Sequence, residues 1–121
     1  MAKFDITQMK GVIPATMTFF DQEENIDEAC TREMIEFMIG AGVEGFYLTG
    51  STGECFTMTV EERKQVVKIV IDQVKNRVPV IVNVGDIGTK KSIELAQFAE
   101  KEGADAISSV PPFYWKFSAD D

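Results

Sequence analysis

A chain of 121 residues, 45% hydrophobic and 26% charged, has the composition of one modest globular domain with a real core. Its net charge of −8 argues against nucleic acid and against anionic membrane surfaces as partners. There is no histidine, which removes Ser-His and Cys-His mechanisms and His-ligated zinc. No metal and no cofactor is expected.

The first predicted strand runs from Gly11 to Thr18, with Phe19 and Phe20 at its end. A polar loop, Asp21 to Asn25, leads into a helix from about Asp27 to Ile39, whose Cys30, Met34, Phe37, Met38 and Ala41 fall on one face. Gly40 and Gly42 end it. The second strand is Glu44 to Thr49. Thr59 with Glu62 makes a capping box that opens a helix to about Val74, with Val66, Val67, Val70 and Val74 as its buried stripe. The third strand, Val78 to Val84, is apolar almost throughout, as expected for a strand covered on both faces. After the Gly85–Gly88 loop, Thr89 is the expected N-cap of a helix carrying Ile93, Ala96, Phe98 and Ala99 up to Gly103. The fourth strand is Ala104 to Val110, stopped by Pro111 and Pro112.

Cys30 and Cys55 lack paired-motif spacing and read as reduced packing residues. No segment has the apolar run of a membrane-spanning helix, and the stretch from Met1 to Asp5 carries no signal-peptide core. A cytoplasmic location is expected.

The second strand runs directly into Thr49-Gly50-Ser51-Thr52-Gly53-Glu54. Glycines there let the backbone turn tightly and approach a ligand, and two hydroxyls lie between them. Such a turn suits a small carboxylate, and a hydroxyl in it can pass a proton. It has neither the Gly-Lys-Ser/Thr of a P-loop nor the glycine spacing of a dinucleotide site.

Gly42-Val43-Glu44-Gly45-Phe46 and Gly103-Ala104-Asp105-Ala106-Ile107 repeat one helix-end, strand-start pattern. The chain therefore repeats a βα module about every 30 residues, which implies a parallel sheet. Strand ends at Thr18, Thr49, Val84 and Val110 would share one edge, the edge where α/β folds bind ligands. A closed (β/α)8 barrel takes roughly 250 residues, about twice this chain, so the pattern fits either half a barrel or a small doubly wound domain.

Four stretches carry a resemblance. Gly11-Val12-Ile13-Pro14-Ala15-Thr16 with Phe20-Asp21, Gly45-Phe46-Tyr47 through Gly50-Ser51-Thr52-Gly53-Glu54, Val82-Asn83-Val84-Gly85, and Ser109-Val110-Pro111-Pro112-Phe113-Tyr114 are in order and at matching spacing along nearly the whole chain. They resemble the N-acetylneuraminate lyase and dihydrodipicolinate synthase family, pyruvate-dependent Schiff-base enzymes built on (β/α)8 TIM barrels. Ser51 and the run from Phe113 to Ser118 are more similar to the N-acetylneuraminate lyase branch.

That resemblance implies an α/β fold in which residues 1–121 are the first four β/α units, an N-terminal half barrel with no second domain. It implies that Gly50, Ser51 and Thr52 bind the carboxylate of pyruvate, and that Ser51 and Tyr114 form a proton relay, with Tyr114 reaching a neighbouring subunit of a homotetramer. The partners implied are pyruvate and an aldehyde, in retro-aldol cleavage or the reverse aldol condensation. The family's Schiff-base lysine lies on the sixth strand, and a further tyrosine at the end of the fifth. The lysines present, including Lys64, Lys68, Lys75, Lys90, Lys91 and Lys101, sit on helices among polar residues, so this chain alone is expected to form no Schiff base. A non-catalytic truncated fragment and a small carboxylate-binding module are the alternatives.

Overall fold

The computed structural model describes residues 4–120. Three helices and three short strands alternate: α1 (Glu28–Gly40), β1 (Phe46–Leu48), α2 (Val60–Val74), β2 (Val80–Asn83), α3 (Thr89–Glu102) and β3 (Ala106–Ser108). The strands form one parallel sheet in the order β1-β2-β3, with Tyr47 opposite Ile81 and Asn83 opposite Ser108. Helix α2 packs between α1 and α3. Its stripe of Val66, Val67, Val70 and Val74 is buried against Phe46, Leu48, Val80 and Val82 of the sheet. Those side chains set the core because consecutive strand residues point to opposite faces, leaving Tyr47 and Ile81 on the other side.

Local signals place the helices. The Asp27 side chain accepts the Cys30 amide at the start of α1, and Thr59 and Glu62 form the reciprocal capping box of α2. The expected cap at Thr89 is displaced by one residue: Gly88 is the N-cap of α3, without a side-chain hydrogen bond, and Thr89 is already helical. Asp86 serves that loop instead, its carboxylate accepting the Gly88 amide.

The first predicted strand is corrected. Gly11 to Thr18 lies alongside β1 but makes only an isolated parallel bridge, Ala15 to Tyr47. The Glu44 amide donates to Val12 (2.8 Å), the Tyr47 amide to Pro14 (2.9 Å), and the Thr16 amide to Tyr47 (3.0 Å). Pro14 has no N–H with which to extend the ladder. The other strands are shorter than expected, and Pro79, which cannot donate, leaves β2 to begin at Val80.

The apolar faces of α1 and α3 also differ from expectation. Thr31 and Ile35 are the buried positions of α1, while Phe37 is 77% exposed and Ala41 lies outside the core. Leu95 and Ala99 are buried on α3, whereas Ile93 faces outward. Met34 and Met38 of α1 and Ala96, Phe98 and Ala99 of α3 do pack on the core as expected, so the departures are Phe37, Ala41 and Ile93. No described helix is long and apolar enough to cross a membrane.

Candidate active site

Because the strands are parallel, the segments after β1, β2 and β3 leave the sheet at one end. The turn at Gly50–Glu54 follows β1. Thr49 enters it with a φ of +52°, and Glu54 leaves it with a φ of +58°. Backbone bonds close it: the Glu54 amide donates to Ser51 (3.0 Å) and the Cys55 amide to Gly50 (3.3 Å). Ser51 and Thr52 are exposed. Among the described residues, the amides of Ser51, Thr52 and Gly53 and the hydroxyls of Ser51 and Thr52 make no hydrogen bond. Consecutive unengaged amides flanked by hydroxyls are a chemical match for a carboxylate. Helix α2 does not begin until Val60, so the turn's own amides, rather than a helix N-terminus, would supply the donors.

Both glycines of the turn are held by close neighbours. A Cβ on Gly50 would stand 2.6 Å from Cε1 of Tyr47, and one on Gly53 would stand 3.0 Å from the Thr16 carbonyl oxygen. The Thr18 hydroxyl donates to the Gly53 carbonyl at 2.6 Å, tying the first segment to the turn. Tyr47 reaches across the sheet. Its hydroxyl shares a 2.6 Å hydrogen bond with Ser108 on β3, spanning the sheet beneath the turn. The alternation of Phe46, Tyr47 and Leu48 was the available signal that Tyr47 faces away from the helices.

Tyr114 follows β3 and is 81% exposed, with its ring edge-on to Trp115 at 4.9 Å. Its φ is +82°, a conformation that a bulky residue adopts rarely and at a cost. Phe113 packs on Phe56 with ring centroids 4.1 Å apart, which brings the segment after β3 against the one after β1. Ser51 and Tyr114 of one chain thus lie at the same end of the sheet, and no hydrogen bond joins them.

Beneath the turn lies a buried polar cluster. Thr49 Oγ1 donates to the Asn83 carbonyl at 2.9 Å, and Asn83 Nδ2 donates to the Thr49 carbonyl at 2.8 Å. Arg63 of α2, 1% exposed, donates from Nη2 to the Asn83 carbonyl (2.9 Å) and from Nη1 to the Gly85 carbonyl (3.0 Å). Burial pushes the Arg63 guanidinium below its ordinary range and the neighbouring Cys55 thiol above its own. Sequence reading missed Arg63 because Glu61, Glu62 and Lys64 surround it. Its spacing of three, four, seven and eleven residues from Val66, Val67, Val70 and Val74 puts it on the buried stripe.

The lysines are placed differently. Lys64 reaches Glu94 and Glu61, whose hydrogen bonds raise its pKa, the opposite of what an amine nucleophile needs. Lys68, Lys75, Lys90, Lys91, Lys101 and Lys116 are exposed, and Lys3 lies outside the described residues.

A sequence profile described as the dihydrodipicolinate synthetase family matches residues 8–121. The chain belongs to that family. One relative, the N-acetylneuraminate lyase of Escherichia fergusonii, is 41% identical over 115 residues, covering 95% of this chain and 39% of the lyase. Among solved structures, a prophage protein of the dihydrodipicolinic acid synthase family from E. coli, in complex with pyruvate, is 39% identical with a TM-score of 0.88, over 92% of this chain and 37% of that one. A Ruminococcus gnavus sialic acid aldolase altered at its catalytic lysine is 38% identical with a TM-score of 0.90, over 94% of this chain and 37% of that one. The chain therefore spans about two fifths of the relatives it matches. Its parallel α/β architecture is that of the family's TIM barrels.

Proposed function

We propose that this member of the dihydrodipicolinate synthetase family supplies the carboxylate-binding turn and relay tyrosine of a Schiff-base lyase. The reaction is an N-acetylneuraminate lyase-like retro-aldol cleavage to pyruvate and an aldehyde. The observation that carries this reading is the Gly50–Glu54 turn, with the amides of Ser51, Thr52 and Gly53 unengaged at the ligand-binding edge of a parallel sheet. The pyruvate complex of a relative with a TM-score of 0.88 supports it.

In the proposed arrangement, Gly50, Ser51 and Thr52 hold the pyruvate carboxylate, and the Ser51 hydroxyl passes a proton to or from Tyr114 of a neighbouring subunit. The exposure and positive φ of Tyr114 fit a side chain held out toward another copy in a homo-oligomer. In this reading the chain acts as the first half of a barrel, with the lysine contributed by its other half. An outward, largely apolar groove, with Ile93, Ala96, Ala106 and Ile107 beside Gln97, Glu100 and Asp105, fits the packing of a further β/α unit. A lyase of this kind would work in the cytoplasm.

Borohydride treatment with pyruvate tests the nucleophile assignment. The purified chain should gain no covalent mass, and an adduct on any of its lysines would overturn the assignment. Amide resonances of Ser51, Thr52 and Gly53 should shift on titration with pyruvate, and Ser51→Ala should weaken that response.

A further inference from the structure

We propose that Arg63 is a positioning residue for the Gly50–Glu54 turn. It holds the turn's stem and supplies positive potential that this acidic chain otherwise lacks beneath the site. The inference rests on the proposal that the turn binds a carboxylate.

The geometry runs in one line from helix to turn. Arg63 Nη2 and Nη1 bracket the carbonyls of Asn83 and Gly85, fixing the C-terminal end of β2. Asn83 then returns its side-chain amide to the Thr49 carbonyl, and Thr49 Oγ1 donates to the Asn83 carbonyl that Arg63 also holds. Thr49 is the left-handed residue from which Gly50, Ser51 and Thr52 spring, so its carbonyl orientation sets where their amides lie. A planar fork can bracket two carbonyls at once, whereas an ammonium cannot.

The placement is also costly in a way that stability alone does not explain. Among the described residues, Arg63 Nε is buried with no hydrogen-bond partner, and the one carboxylate paired with the guanidinium, Asp86, stands at 3.5 Å from Nη1. Replacing a buried charge with an apolar residue of similar size is often neutral or stabilising. The other described arginines, Arg32 and Arg77, are tied to carboxylates on the helical surface. With a net charge of −8, the chain as a whole repels a keto acid. The buried guanidinium at the strand ends places a positive charge there, offset in part by Asp86, and low polarity around it limits screening.

Pyruvate titration of the 15N-labelled chain, read at the Ser51 and Thr52 amides, tests this with R63M, R63K and N83A beside wild type. The expected result is a midpoint raised about tenfold or more in R63M and N83A. R63K, which keeps the charge but brackets one carbonyl, should recover part of that loss. Amides of Thr31 and Ile35 on α1 should stay in place. Equal midpoints for wild type and R63M, or for R63K and R63M, would overturn the proposal. If R63M does not fold, N83A decides: an unchanged midpoint overturns the proposal and a raised one supports it. A wild-type chain without pyruvate shifts would fail at the earlier step, removing the carboxylate reading and this inference together.

Discussion

Gly50 meets the ring of Tyr47 so closely that a single methyl group should unsettle the site. In Gly50→Ala, the new Cβ would stand 2.6 Å from Cε1 and 3.2 Å from Cδ1 of Tyr47. The ring cannot rotate away freely, because its hydroxyl is bonded to Ser108 at 2.6 Å. Forced overpacking costs about 1–3 kcal/mol, and the lost hydrogen bond adds about 1 kcal/mol. Together these remove roughly 2–4 kcal/mol from a typical folding stability of about 5–15 kcal/mol. For a domain of this size that lowers the melting midpoint by on the order of 10–20 °C. Circular dichroism melts of Gly50→Ala, Tyr47→Val and the double variant measure it as a cycle. Tyr47→Val removes the ring, so the double variant should melt close to Tyr47→Val alone, with a coupling equal to the whole Gly50→Ala cost of about 2–4 kcal/mol. A Gly50→Ala midpoint within about 2 °C of wild type, or strict additivity in the cycle, would refute the steric argument.

Thr59→Ala removes one side of the capping box on α2 and should cost about 1 kcal/mol, measured by urea unfolding with an unchanged m-value. Hydrogen bonds from Arg77 and then Gln73 hold the Glu36 carboxyl at about 2, below its unfolded value of about 4.3. A carboxyl lowered on folding stabilises above its unfolded pKa and loses that contribution as pH falls through the folded one. Wild type should therefore outlast Glu36→Gln at pH 6, and the gap in melting midpoint should close between about pH 4.3 and pH 2. A gap that stays constant to pH 2 would remove this assignment. Thiol labelling should distinguish the two free cysteines: half-buried Cys30 reacts first, while buried Cys55, its thiol pushed up by burial, reacts only on unfolding. Equal labelling rates in the native state would contradict the burial of Cys55.

The helices were legible in the sequence because their determinants are local. Asp27, and Thr59 with Glu62, each act within one turn of chain, and the valines of α2 repeat at the helical period. The glycine turn after β1 was legible for the same reason. What lay beyond reach was which edge of the apolar stripes of α1 and α3 the core would cover. Phe37 and Ile93 belong to apolar stripes, yet they face outward, while Ile35, Thr31 and Leu95 fill the core. An apolar stripe says that a helix packs, but the surface it meets decides which strip is covered. The strand from Gly11 was overread because pairing needs a partner with matching donors, and Pro14 offers none.

The sequence by itself determined the parallel βα repeat, the glycine turn after β1 and the membership of the dihydrodipicolinate synthetase family. Only the tertiary structure decided that Arg63 leaves its charged surroundings for the interior, that Asn83 clamps Thr49, and that Tyr47 reaches across to Ser108. Residues separated by 20 to 61 positions make these bonds. Chain closure over such spans leaves no mark in local pattern, because the pairing free energy is set by which groups the fold brings together away from water.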